Sequence, residues 1–560
     1  LVRDFIAAHD WKTLKDTLSY LKHLGVNAIE IMPFNEFEGN ESWGYNSDFY
    51  FAPDKYYGPA QRLKEFIDSC HKNGFAVIMD IVLNHTYGPS PLAMLYWDRQ
   101  NNRPAANNPW YNPVQPHAFG FGDDFNHSSA ATKQFFNRVL QYWVSEYKID
   151  GYRVDFSKGL TQTPSTNDAQ FSAYDISRIN ILKGYYDVIK QVDANAIVIL
   201  EHFAANNEEI ELSDYGMLLW GNHNHNYSLA AMAKPSDGFS TWNFEGVIHS
   251  VRGWSKPHLV GYMESHDEER LMRRTLTEGN SSGSYNTSDT TTALKRMGLD
   301  AAFFLTIPGP KMIWQFGEMG YDYSINHCPD GTISNDCRTS NKPIRWDYLQ
   351  DPRRKELFDV YSKLIKLRFH TWYKDLFQTG TTERNLANDF KWLKMNSGDS
   401  SRIVVVGNFG LAPNTFAISF PTAGTWYDYL ANTTFTTTGS TQNIALLPGE
   451  YRVFVNRNVN NTATTPVINI PSQANAFIAK VYPNPVQSSY VLEMQLPVAG
   501  QVSVDLLNPL GQKLKTVYNG FLPRGNQRIN LLRQPSFNAG SYYLRIHTKT
   551  TSELLQIIYQ

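Results

Sequence analysis

Four short segments, each closing an apolar, β-branched run, constrain this chain more than any other feature. They are DIVLNH (Asp80 to His85), GYRVD (Gly151 to Asp155), ILEH (Ile199 to His202) and ESHDE (Glu264 to Glu268). Runs of about 40 to 75 residues separate them, enough for a strand, a loop and a helix each time. An eight-stranded β/α barrel needs that repeat, and it gathers the carboxyl ends of its strands over one mouth. A lone Asp after a strand is more often a helix cap or a loop acceptor. Four such sites in order instead predict one pocket shared by Asp155, Glu201 and Asp267.

Spacing suggests what these acids do. Arg153 and Asp155 are two apart on a strand, so their side chains leave one face while Val154 packs on the other. A guanidinium beside a carboxylate is expected to keep it ionised and fix its rotamer, which suits a nucleophile. Glu201 closes the run AIVIL at the mouth of an apolar barrel. Partial desolvation there is expected to raise its pKa and keep it protonated, which suits a general acid.

The rest of the chain fits the barrel. Asp10 is a candidate N-cap for a helix carrying Leu14, Leu18 and Leu21, with Gly25 placed to end it. VNAIEIMP reads as a strand, a helix runs from about Pro59 to Gly74, and FAVIMDIVLNH has the continuous apolar run of a strand buried on both faces. A helix from about Ala130 to Lys148 carries Phe136, Leu140, Trp143 and Tyr147 on one stripe. HLVGYM, a helix around Ala293 to Leu305, KMIWQFGEMGYD as eighth strand and loop, and a helix ending near Phe369 complete the set. LVRDFI reads as the first barrel strand already under way, with the expectation that the chain begins inside a longer precursor.

After about Gly380 short alternating runs such as RIVVVGNF and EYRVFVN, set off by Gly, Pro and Asn, predict a small antiparallel sandwich. The last stretch alternates again, with turns at Asn508 to Gly511 and Ala539 to Gly540. The expected fold is therefore α/β: a (β/α)8 TIM barrel at 1–376 with an inserted subdomain at about 85–128, then two all-β sandwich domains at 377–457 and 474–560, joined by a Thr- and Asn-rich linker at 458–473.

Composition narrows the partners. A net charge of −2 gives no cationic footprint for nucleic acid or an anionic membrane, and no run of 18 apolar residues exists to span one. Thirteen Trp and 32 Tyr supply faces that stack on sugar rings, although most such rings are core. Cys70 lies on the Leu63, Phe66 and Ile67 stripe and reads as an inert core thiol; no CxxC metal spacing is present.

The ordered set Asp80/His85, Arg153/Asp155, Glu201 and His266/Asp267 resembles the signature regions of the α-amylase superfamily, retaining enzymes that act on α-glucans, over roughly residues 1 to 455. The resemblance implies Asp155 as nucleophile, Glu201 as acid/base and Asp267 as transition-state stabiliser. Asp80, His85, Arg153, His202 and His266 would contact the sugar or the nucleophile, and Tyr45 of SWGYNSDFYFAP would be the stacking tyrosine. The working carboxyls of a retaining pair stand about 5 to 5.5 Å apart. No cofactor is required. Asn84 matches one calcium ligand of many amylases, but Phe156, Ser157, Lys158 and Gly159 follow Asp155 where the second is expected, so calcium has half a site and no metal is assigned.

YPNP (Tyr482 to Pro485), NPLGQ (Asn508 to Gln512) and GSYYLRI resemble the C-terminal sorting domain of the type IX secretion system, which implies export through that machinery. In an exported chain Cys328 and Cys337, at the ends of CPDGTISNDC, are expected to pair. The functional expectation is a secreted or cell-surface α-amylase-like endohydrolase of α-1,4-glucans. The alternatives are a transglycosylase, either branching enzyme or 4-α-glucanotransferase, and a non-catalytic glucan-binding surface protein. SWGYNSDFYFAP and ESHDE resemble the branching-enzyme side of the superfamily.

Overall fold

The computed structural model describes residues 1–88, 90–235, 242–397, 401–459, 478–496, 498–508, 513–548 and 552–560. The expected linker from residue 460 on, and positions 509–511 of the expected turn, lie outside the described residues. Two compact units form, Leu1–Ala463 and Thr464–Gln560.

The first unit is built on a parallel sheet of seven strands: β1 (Ala28–Ile31), β2 (Ala76–Val82), β3 (Gly151–Asp155), β4 (Ile197–Leu200), β5 (Leu218–Asn222), β6 (Leu259–Tyr262) and β7 (Lys311–Met312). They pair in chain order, each with a crossover before the next. Local chemistry sets the connecting helices. Asp10 accepts from Thr13 N at 2.6 Å, and Gly25 ends that helical stretch at φ 99°. Gly74 ends the helix Ala60–Asn73 at φ 85°, with Leu63, Phe66, Ile67 and Cys70 on its buried stripe. Burial pushes the Cys70 thiol up to about 12, so it stays protonated.

One expected strand is absent. In LVRDFI the amides of Phe5 and Ile6 both donate to Val2 O, and Arg3 pairs with its neighbour Asp4 at 2.9 Å. Those amides close a local turn and are lost to a sheet ladder. The expected eighth strand is Lys311–Met312, and the loop that follows it turns at Phe316 with φ 65°. An apolar cavity of about 620 Å³ lies beside the two edge strands, with Leu1, Val2, Ile29, Ile31, Met312 and Ile313 in its wall.

Between His85 and Ser128 the chain forms short antiparallel pairs, His85–Thr86 with Asp123–Asp124 and Trp97–Asp98 with Arg103–Pro104. Tyr111 stacks on Phe125 at 4.2 Å, and Phe125 packs in turn on Phe136, so the insertion is continuous with the barrel's core. After the helix Pro352–Phe369 comes a six-stranded antiparallel sheet faced by the pair Asn414–Ser419 and Thr441–Leu446. In its strand Arg402–Asn408 the alternation serves two cores: Ile403 and Val405 belong to the barrel's, Val404 and Val406 to the sandwich's.

The second unit packs a three-stranded on a four-stranded antiparallel sheet. Tyr490, Leu492, Met494 and Leu496 all point into its core from one strand. Among the described residues no helix is long and apolar enough to cross a membrane.

Candidate active site

Strand β3 is buried throughout. Gly151 begins it because a Cβ there would lie 2.1 Å from Ile197 O of the neighbouring strand. Tyr152 and Val154 face the surrounding helices' core, and Arg153 and Asp155 take the other face. The register sets Asp80 opposite Arg153 and Val82 opposite Asp155.

Arg153 is the hub. Its Nη1 donates to Asp80 Oδ1 and Asp155 Oδ1, both at 2.8 Å. Its Nη2 lies 2.9 Å from Glu201 Oε2, an ionic contact off the line of a directed hydrogen bond. Trp220 closes the back of the guanidinium, whose Cζ stands 4.0 Å from the ring centroid. Tyr45 Oη donates to Asp80 Oδ2 at 2.7 Å, and the Tyr45 ring stacks on His266 at 5.1 Å. His85 Nε2 donates to Tyr45 O at 3.1 Å. Burial drives the imidazoles of His85 and His266 down to about 4 and about 3, so both are neutral at pH 7.

Glu201 follows β4 directly. Its amide donates to Val154 O, and its Oε2 accepts the N–H of Phe156 at 2.9 Å. Phe156 turns that amide inward from φ 43°, a left-handed conformation that bulky residues rarely adopt. Packing on Phe121 and Phe171, with centroids at 5.3 and 5.7 Å, holds it there.

His202 departs from expectation. It is buried, with Nε2 bonded to Glu208 Oε1 at 2.8 Å and Nδ1 to Ser157 Oγ at 2.9 Å, and Glu208 is in turn forked by Arg178. Both ring nitrogens are committed behind Glu201, so no sugar contact is open to it. Ser157 Oγ donates to Glu201 O at 2.8 Å, which makes this chain a brace for the Glu201 backbone.

The pKa of Asp155 shifts against the expected direction. Arg153 was expected to hold it ionised. Burial, then the charges of Glu201 and Asp80, push its carboxyl well above the usual range, and Arg153 opposes them without prevailing. Asp80 is raised to about 6, by burial first. Asp80 and Asp155 share one nitrogen of the Arg153 guanidinium, so the two titrate as a pair.

Asp267 stands apart from this hub, its side chain 42% exposed. Its Oδ2 lies 3.2 Å from His266 Nε2, and its Oδ1 accepts from Arg338 Nη2 at 3.1 Å. Trp43 stands edge-on to His266 at 5.2 Å, and Trp314 lies 6.0 Å away. Sequence reasoning did not single out Trp43, Trp220, Trp314 or Arg338. Trp43 was within reach, two residues before Tyr45; the others carry no spacing signal.

Asn84 Oδ1 is buried without a partner, but Asp124, in the insertion strand paired with His85, is taken by His117 and Asn112. Among the described residues no group of three His, Cys, Asp or Glu side chains gathers that could hold a metal ion.

Comparison with known proteins agrees with this architecture. The alpha amylase catalytic domain model matches residues 7–122 and 117–360, and the secretion system C-terminal sorting domain model matches 480–560. The malto-oligosyltrehalose trehalohydrolase of Rhizobium sp. (strain M-11) is 25% identical over 71% of each chain. That of Saccharolobus solfataricus is 31% identical over 33% of this chain and 28% of its own length. The chain spans less than a third of several curated relatives that it matches. The structure of an Anoxybacillus alpha-amylase superposes with a TM-score of 0.61 at 18% identity, covering 80% of this chain and 90% of that one, a likeness of fold. The chain belongs to the α-amylase catalytic-domain family, and its type IX sorting domain marks it as secreted or cell-surface.

Proposed function

We propose that this protein is an endohydrolase of α-1,4-glucans of the starch and glycogen type, acting with retention through a glycosyl-enzyme. The observation that carries the reading is the single guanidinium of Arg153 in contact with both Asp155 and Glu201. Two carboxylates tethered to one fork favour the short separation of a nucleophile and acid pair over the roughly 6.5–9.5 Å that leaves room for a water in an inverting site. Asp155 attacks the anomeric carbon while Glu201 protonates the leaving oxygen. Water then cleaves the glycosyl-enzyme with Glu201 as base, and Asp267 favours the positive charge developing on the ring. Tyr45 stacked on His266, with Trp43 at its edge, supplies the apolar wall for the sugar.

Nucleophilic attack needs Asp155 ionised, the form that Arg153 favours by donating to its Oδ1.

The transglycosylase reading differs in whether water or a sugar hydroxyl intercepts the intermediate, and the sequence likeness to a branching enzyme from Nitrosospira multiformis favours it over part of the barrel. Incubation with soluble starch distinguishes the readings: hydrolysis raises reducing ends as iodine colour falls, branching changes colour with little rise, and a binding protein changes neither. Absence of new reducing ends would overturn the hydrolase reading.

A further inference from the structure

The segment after the Gly317–Met319 turn is fastened at both its ends to the stretch Asp267–Glu269, which closes ESHDE and runs one residue past it. At its start Ser324 Oγ and Ile325 N donate to the two carboxylate oxygens of Glu269, at 2.5 and 2.9 Å. It then folds back on itself, with Cys328 N donating to Thr332 O, and is closed by the Cys328–Cys337 disulfide. The next residue is Arg338, whose Nη2 donates to Asp267 O at 2.6 Å and to Asp267 Oδ1 at 3.1 Å. Lys342 Nζ ties the two arms together through His327 O and Cys337 O, at 3.1 and 2.6 Å. Asn341 donates to Glu41 Oε2 at 2.5 Å, close in sequence to Trp43, so the loop also reaches the opposite wall.

An ion pair as exposed as Arg338–Asp267, 44% and 42%, contributes little to stability. A carboxylate facing a developing positive charge is effective only when its position is fixed beforehand. The pair therefore has more leverage on turnover than on folding. We propose that Arg338 is a positioning residue for Asp267, held on station by the Cys328–Cys337 bond, so that an external dithiol slows turnover without unfolding the barrel. In that step the dithiol gives two electrons and two protons to the disulfide, leaving two loop thiols and an oxidised, cyclised dithiol. The third cysteine, Cys70, is buried in the core and takes no part.

The inference rests on the reading of Asp267 as the third acid of the site, so the full chain is assayed on soluble starch with Asp267→Asn alongside. Arg338→Ala is expected to lower kcat by about ten- to a hundredfold with KM within about twofold, an unchanged thermal midpoint, and partial recovery in Arg338→Lys. Dithiothreitol and the double variant Cys328→Ser/Cys337→Ser are expected to lower kcat alike, and dithiothreitol to add nothing to the double variant. A rise in KM at unchanged kcat in Arg338→Ala would make it a sugar contact and overturn the proposal; full kcat in the reduced enzyme would overturn the tether. Wild-type kcat in Arg338→Ala beside an inactive Asp267→Asn sinks this inference alone, whereas full activity in Asp267→Asn sinks the functional reading beneath it.

Discussion

Phe156 donates its backbone N–H to Glu201 Oε2 at 2.9 Å from a φ of 43°, so an unfavourable conformation beside one acid orients the other. Backbone held in this region costs on the order of 1–3 kcal/mol and persists only where the surroundings over-determine it. Here the rings of Phe121 and Phe171 do so.

That arrangement separates two substitutions. Phe156→Gly keeps the amide and tolerates the dihedral, so kcat is expected to fall by less than about tenfold, with a loss of thermal stability from the missing ring. Phe156→Pro removes the donor and fixes φ near −65°, and leaving a buried acceptor without its hydrogen bond costs about 1–3 kcal/mol, or roughly 5- to 100-fold in kcat. Equal kcat in the two variants would show that the amide does not orient Glu201.

Asp155→Asn and Glu201→Gln are each expected to reduce kcat on starch by on the order of 10³-fold or more with the far-ultraviolet spectrum unchanged. A substrate with an acidic phenol as leaving group should recover most of the Glu201→Gln loss in the first step, because that leaving group needs no proton. It should recover none of the Asp155→Asn loss. Exchanged rescue patterns would exchange the two roles.

The shared guanidinium links activity to pH. A protonated Asp155 cannot attack, so the acid limb of kcat/KM follows the Asp155 cluster. The negative charge of Asp80 raises the Asp155 pKa. Asp80→Asn removes that charge, which lowers the Asp155 pKa and moves the acid limb to lower pH, even as the maximum falls with the loss of an Arg153 partner. A limb that stays in place or moves up would exclude Asp80 as the coupled group.

His202→Ala is expected to cost about 1–3 kcal/mol in denaturant unfolding, because it strands buried partners at Glu208 and Ser157. KM should stay within about twofold, since the ring does not reach the cleft. A large rise in KM at unchanged stability would restore His202 as a sugar contact.

Period-two alternation was enough to read Arg153 and Asp155 onto one face, and helix ends at Asp10, Gly25 and Gly74 followed from cap chemistry that needs only neighbouring residues. Charge state did not follow. Arg153 is visible two positions from Asp155, but nothing in the order of residues tells that Asp80 and Glu201 crowd the same guanidinium. His202 looked like a cleft residue because it follows Glu201, while its partner Glu208 lies on the next helix, where only the folded turn brings them together. Arg338 meets Asp267 across 71 residues through a loop with no hydrophobic period. LVRDFI has the apolar composition of a strand, but its Phe5 and Ile6 amides turn back onto Val2 O, which composition does not reveal.

The strand Arg402–Asn408, with neighbouring residues buried in different interiors, leaves no seam along which the enzyme's two halves could part. Sliding it by one residue would swap every valine between them. A truncation that spared the acids but removed this strand would strip an inner wall rather than trim an accessory, and the barrel and its β appendage should therefore melt together.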